Sequence, residues 1–176
     1  VEQALRDPLT GLHNRRFLEA SLKREEERAR RNKASVAIVQ FDLDHFKRLN
    51  DAYGHAAGDE VLRCVGEVLR AATRGEDIVC RHGGEEFTLI LPGATVENAL
   101  GRANTIARHI FGLRMKLADE PLPSVTVSGG VAVFPRDGLT LRETLRRADH
   151  ALLRAKRDGR SRILEAQMDD PTTTIN

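Results

Sequence analysis

Two apolar runs, residues 78–82 and 86–91, stand on either side of Gly83-Gly84-Glu85. Runs this close in sequence have one economical arrangement, a pair of adjacent antiparallel strands joined by a tight turn. The glycine pair removes side chains where a ligand can approach the backbone closely, and acids follow at once in Glu85 and Glu86. A second run, residues 36–41, is β-branched and almost continuously apolar, as a strand buried on both faces requires, and it ends on Asp42 with Asp44 close behind. A strand end and a hairpin tip on neighbouring strands converge several carboxylates on one spot. Such like charges repel unless a cation neutralises them. A hard divalent ion, held by few protein oxygens plus substrate phosphates, resolves the conflict and points to phosphoryl transfer.

The remaining pattern supplies the layers around this sheet. Residues 14–33 read as a helix with Phe17, Leu18 and Leu22 on one side, followed by a charged run, 23–31, read as a solvated face. Gly58-Asp59 opens a second helix with Val61, Leu62, Val65, Val68 and Leu69 at helical spacing. Thr95 caps a third, with Leu100, Ala103, Ile106, Ala107 and Ile110 inward, and a strand begins at Val125. Thr140-x-x-Glu143 is a capping box before a last helix with Leu141, Leu145, Ala148, Leu152 and Ala155 inside. Arg162-Ile163-Leu164 is a final edge strand, and residues 167–176, polar and aperiodic, are expected to be a disordered tail. Mixed elements in this order, without an internal repeat, predict one α/β domain of helices packed on a mostly antiparallel sheet.

Composition narrows the function. With 28 Lys+Arg against 26 Asp+Glu, a net charge of +2 lacks the basic footprint of a nucleic-acid binder. No apolar stretch approaches the ~20 residues of a membrane span. Cys64 and Cys80 show no metal spacing and read as small buried apolar residues. Nothing near Val1 resembles a signal peptide, and a start on Val1 suggests an excised fragment. Reduced cysteines and a nucleotide-like site favour the cytoplasm.

These residues resemble a known family. Gly83-Gly84-Glu85-Glu86-Phe87, preceded by Arg81, is similar to the signature hairpin of the GGDEF family of diguanylate cyclases in the variant with Glu at the third place. Asp7-Pro8-Leu9-Thr10-Gly11-Leu12 with Asn14-Arg15-Arg16 resembles its opening segment. Residues 41–47 and Asn50-Asp51-x-x-Gly54-His55-x-x-Gly58-Asp59 resemble its first strand and nucleotide loop, and Ala155-Lys156-x-x-Gly159-Arg160 its last helix. The likeness covers roughly residues 7–165.

The resemblance implies a five-stranded central sheet flanked by helices, akin to the polymerase palm and class III cyclases, in a domain over 7–166 after a linker end at 1–6. It implies metal ligands at Asp42, the Leu43 carbonyl and Glu85, with Glu85 or Glu86 catalytic, and two Mg²⁺ ions per GTP, Mn²⁺ being the alternative. Asn50 and Asp59 resemble the guanine readers, since a carboxylate accepts from guanine N1–H and its exocyclic amine. Phe46, Lys47, Lys156 and Arg160 resemble the phosphate contacts. The implied reaction joins two GTP into cyclic di-GMP and pyrophosphate across a homodimer, under an upstream regulatory module of a parent protein that can be membrane-tethered. Asp7 with Arg15 or Arg16 is expected to brace the segment leading in from that module. Arg74-x-x-Asp77 resembles an inhibitory site for the product, with Arg28 and Arg102 as candidates for a second arginine. The rival reading is a silent module that binds GTP or cyclic di-GMP as a sensor.

Overall fold

The computed structural model describes residues 2–170. A short 3₁₀ turn, Glu2–Leu5, leads to β1 (His13–Asn14) and α1 (Arg15–Asn32), and β2 follows at Val36–Leu43. Then come α2 (Phe46–Tyr53), α3 (His55–Ala72), β3 (Ile78–Gly83), β4 (Glu86–Pro92) and α4 (Val96–Phe111). The chain continues through β5 (Lys116–Leu117), β6 (Glu120–Pro121), β7 (Val127–Phe134), α5 (Leu141–Arg157) and β8 (Ile163–Glu165). One sheet has the order β1-β3-β4-β2-β7-β8, antiparallel through its centre and parallel at its two edges.

Alternation along the strands divides the interior into two layers. Val36 and Ile38 of β2, with Ile78, Cys80, Ile90, Ala132 and Phe134, pack under Leu18, Leu22 and Ala29 of α1 and Leu141, Leu145 and Ala148 of α5. The residues between them, Ala37, Val39, Phe41 and Leu43, face the opposite layer of α2, α3 and α4, where Val61, Val65, Leu69, Ala103, Ile106 and Ile110 meet Phe87 and Leu89. Each fully buried large side chain contributes about 1.5–3 kcal/mol, so both faces of β2 are committed. Close approach on the α5 side needs glycine, because a Cβ on Gly130 would stand 2.0 Å from the Ala148 carbonyl.

The sheet has six strands rather than five. The addition is β1, whose two residues carry no periodic signal and pair in parallel with Cys80 and Arg81. The glycine pair is not the centre of the hairpin turn: Gly83 pairs with Glu86, so Gly84 and Glu85 form the tip, and a bulge lies between Arg81 and Gly83. A helix over Phe46–Tyr53 was not anticipated, and α3 begins at His55 rather than Gly58. The strand expected from Val125 begins at Val127. Within the charged run of α1, Glu25 is buried at 4% exposure, with Arg24 and Arg28 against it, so that face is not wholly solvated.

Both helix caps form as read: Thr95 accepts from the Asn98 amide, and Thr140 from the Glu143 amide. The Glu143 carboxylate reaches Leu139 rather than Thr140. Of the expected tail, residues 167–170 form a turn in which Asp170 takes a bidentate ion pair from Arg154 at 2.9–3.0 Å, and residues 171–176 lie outside the described residues. Cys80 is fully buried and Cys64 half-buried, and burial pushes their thiols up to about 12 and about 11, so both remain protonated.

Candidate active site

The register of β2 on β4 sets Asp42 directly across from Glu86, and the Leu43 amide donates to the Glu85 carbonyl at 3.2 Å. Three carboxylates therefore meet at one end of the sheet. Asp42 is 5% exposed, Glu85 half-buried and Glu86 exposed. Lys156, in the last turn of α5, donates to Asp42 Oδ2 at 2.6 Å. Burial raises the Asp42 pKa, Lys156 opposes the rise, and Glu85 and Glu86 add to it, leaving the carboxyl at about 6. Among the described residues no group of three or more His, Cys, Asp and Glu side chains could hold a metal ion by itself. The donors present, two carboxylates and a backbone carbonyl, still fit a hard cation that takes its remaining oxygens from substrate phosphates and water.

The hairpin tip is held from behind. Arg81 donates through Nε to the Gly84 carbonyl at 2.8 Å and through Nη1 to Asp7 Oδ1 at 3.0 Å. Asp7 also accepts from the Thr10 amide and hydroxyl, which closes the opening segment into a turn. Arg15 and Arg16 are exposed on the first turn of α1.

On the other side of β2, α2 and α3 meet at Gly54. Asn50 lies against Gly58, close enough that a Cβ there would be 1.8 Å from Asn50 Oδ1 and 3.1 Å from Phe46 Cζ. Asn50 Oδ1 is buried and has no hydrogen-bond partner, while Asp59, next to Gly58, is exposed. The first turn of α2, carrying Phe46 and Lys47, has no side-chain cap, so its amides face outward with the positive end of the helix dipole. Leu153, Lys156, Arg157 and Arg160 line a basic depression at the end of α5. Asn50 and Asp59 thus share one corner, and Lys156 and Arg160 another, with Asp42 tied to the second.

Arg74 and Asp77 stand in the connection between α3 and β3. Asp77 Oδ2 accepts from the Arg74 amide at 2.9 Å and from Arg102 Nη2 at 2.6 Å, and the Arg74 side chain is exposed. Both candidate second arginines flank this loop, Arg102 on Asp77 and Arg28 on the neighbouring Glu76.

Two polar features were missed from sequence. Gln40 of β2 donates to Asp149 of α5 at 2.6 Å and accepts from Thr88 of β4, a chain of contacts directly beneath Asp42 and Glu86. Burial raises the Asp149 pKa, Gln40 and His82 lower it, and Glu86 raises it again. A glutamine inside an apolar run was the available signal. Asp44 was grouped with the metal acids, yet its oxygens accept from Thr126, Ser128 and the Ser161 amide.

Comparison with known proteins identifies the family. The family model described as "Diguanylate cyclase, GGDEF domain" matches residues 4–162. The chain is 40% identical over 163 residues to diguanylate cyclase DgcP of Pseudomonas aeruginosa, covering 92% of this chain and 24% of that one. It therefore spans about a quarter of that relative's length. The solved GGDEF domain of TpbB (YfiN) from Pseudomonas aeruginosa superposes with a TM-score of 0.89 at 36% identity, covering 94% of this chain and 96% of that one. The GGDEF domain of DgcB from Caulobacter crescentus, solved in complex with c-di-GMP, gives a TM-score of 0.87 at 32% identity over 92% of this chain and 95% of that one. With a match over nearly its whole length, the chain belongs to the GGDEF family of diguanylate cyclase domains.

Proposed function

We propose that residues 7–166 are a catalytic unit that condenses two GTP molecules into cyclic di-GMP and two pyrophosphates. The observation that carries this is Asp42 set across the β2–β4 ladder from Glu86, with Glu85 at the adjoining tip and Lys156 on the Asp42 carboxylate. Asp42, Glu85 and the Leu43 carbonyl would hold Mg²⁺, or Mn²⁺, with two ions per GTP. A divalent ion held there would supply charge to polarise the α-phosphate and to lower the pKa of the attacking hydroxyl.

Asn50, whose buried oxygen has no protein partner, accepts from guanine, and Asp59 accepts from its N1–H and amine. The phosphates lie against the open first turn of α2 at Phe46 and Lys47 and against Lys156 and Arg160. The 3′-oxygen of one GTP attacks the α-phosphorus of the other, its proton passes to Glu86 or Glu85, and the bond to pyrophosphate breaks. One chain carries one such set of groups, so a second GTP-loaded copy faces it across a two-fold axis and the same step in the opposite sense closes the ring. Arg74 and Asp77 bind the cyclic product and restrain turnover, with Arg102 already beside Asp77.

No helix among the described residues is long and apolar enough to cross a membrane. The test is release of pyrophosphate from GTP and Mg²⁺ across a range of protein concentrations. Turnover per subunit rises with concentration and vanishes in Glu85→Ala. Tight binding of GTP or product with no pyrophosphate at any concentration would establish the silent sensor instead.

A further inference from the structure

Asp44 is 7% exposed and accepts from Thr126 Oγ1 at 2.7 Å, Ser128 Oγ at 2.7 Å and the Ser161 amide at 3.1 Å. A carboxylate committed to three donors has little capacity left for a cation. What it holds is informative. Arg160 and Ser161 both have positive φ, 64° and 49°, in a region that L side chains occupy at a cost and keep only where neighbours over-determine it. That turn is closed on its own side by the Arg160 amide on the Ala155 carbonyl, 2.9 Å, and by Arg162 Nε on the Arg160 carbonyl, 3.0 Å. Both contacts are local. The Asp44–Ser161 hydrogen bond ties the turn to the strand end that carries Asp42.

We propose that Asp44 is a positioning residue: its carboxylate fixes the turn that presents Arg160, and so sets the phosphate contacts in register with Asp42. The inference rests on the GTP reading above. Thr126 and Ser128, both on the β7 side, hold the carboxylate so that one oxygen points at the turn. Asp44 thus links β2, β7 and the α5–β8 turn through one buried charge, whose hydrogen bonds are stronger than neutral ones.

The test is a double-mutant cycle in full chains, read as KM and kcat for GTP. Asp44→Asn raises KM about tenfold and changes kcat less than about threefold, the effect of misplacing a binding group. In an Arg160→Ala background the same substitution leaves KM within about twofold. An equal rise in both backgrounds, or a fall in kcat at constant KM as loss of a metal ligand gives, overturns the proposal. Amide exchange by NMR adds a readout that needs no turnover. Asp44→Asn speeds exchange at Ser161 and leaves Leu43 unchanged, and unaltered protection at Ser161 refutes the pinning. If Asp44→Asn does not fold, Thr126→Val, which keeps the charge and removes one support, raises KM less but with the same dependence on Arg160. A wild-type chain that does not turn over GTP defeats the functional reading, and the exchange measurement still decides the role of Asp44.

Discussion

Substituting alanine at Gly58 adds one methyl group to a helix and removes no functional group, yet the geometry predicts a selective loss of guanine recognition. The new Cβ would fall 1.8 Å from Asn50 Oδ1 and 2.9 Å from its Cγ, distances no contact tolerates. The obstructing atom is the end of a side chain that can swing away, so the backbone need not move. Inserting a methylene where little room exists costs about 1–3 kcal/mol. Alanine is favoured over glycine in a helix interior by about 1 kcal/mol, which offsets part of that. The expected fall in stability is therefore about 0–2 kcal/mol. Binding changes more. On the proposed role of Asn50, moving it deprives guanine of one hydrogen-bonding group and leaves a buried donor unpaired, about 1–3 kcal/mol, or roughly 5- to 150-fold in KM for GTP. Urea unfolding and steady-state kinetics separate the two quantities. Gly66→Ala in the same helix is the control, since its Cβ meets Thr10 and Leu12 rather than the site. A Gly58→Ala enzyme with wild-type KM would refute the placement of Asn50 at the base.

Three further outcomes are expected. Arg81→Ala releases both the Gly84 carbonyl and Asp7; kcat falls more than KM rises, stability drops by about 1–3 kcal/mol, and lysine does not rescue because two separate contacts come from one planar fork. Denaturation and kinetics check it, and full activity in Arg81→Lys argues against it. In chelator, the folded state holds the Asp42 proton up to about pH 6 while the unfolded chain gives it up near 4. Stability contributed by that proton is present below pH 4 and lost as pH rises through 6, by up to about 3 kcal/mol. Asp42→Asn therefore gains on wild type between pH 4 and 7, and a pH-independent difference in urea midpoints would contradict the shift. At the loop between α3 and β3, Arg74→Ala preserves the backbone contact to Asp77 and loses at least about tenfold in product affinity without a change in melting temperature, whereas Asp77→Ala loses both. Calorimetry with cyclic di-GMP distinguishes them, and unchanged affinity in Arg74→Ala removes the inhibitory assignment.

Features that depend on local pattern were legible in the sequence: the hairpin, the buried strand ending on Asp42, and the caps at Thr95 and Thr140. Those decided by tertiary contact were not. Gly58 read as a helix start because glycine is poor inside helices, but it lies inside α3, where Asn50 fills the space of a side chain. Helix α2 is brief, with a single buried residue, Leu49, so no apolar stripe announced it. Glu25 read as solvated because charge predicts exposure, and only the packing of α1 shows it enclosed. Asp42 and Asp44 have the same residue type and neighbouring positions, and that Asp44 is the one taken up by Thr126, Ser128 and Ser161 depends on how distant parts of the chain arrive.

The pairing of β2 with β4 has a consequence for how this protein can fail. Ile38 opposite Ile90 and Asp42 opposite Glu86 belong to one ladder, counted in steps of two along the same face. A slip of one residue would turn the isoleucines out of their layer and carry the carboxylates to the other side of the sheet. The greasy half of the strand therefore proofreads the acidic half. Errors of alignment are rejected by the interior before they reach the chemistry, and a folded copy with its acids out of step is not an available state.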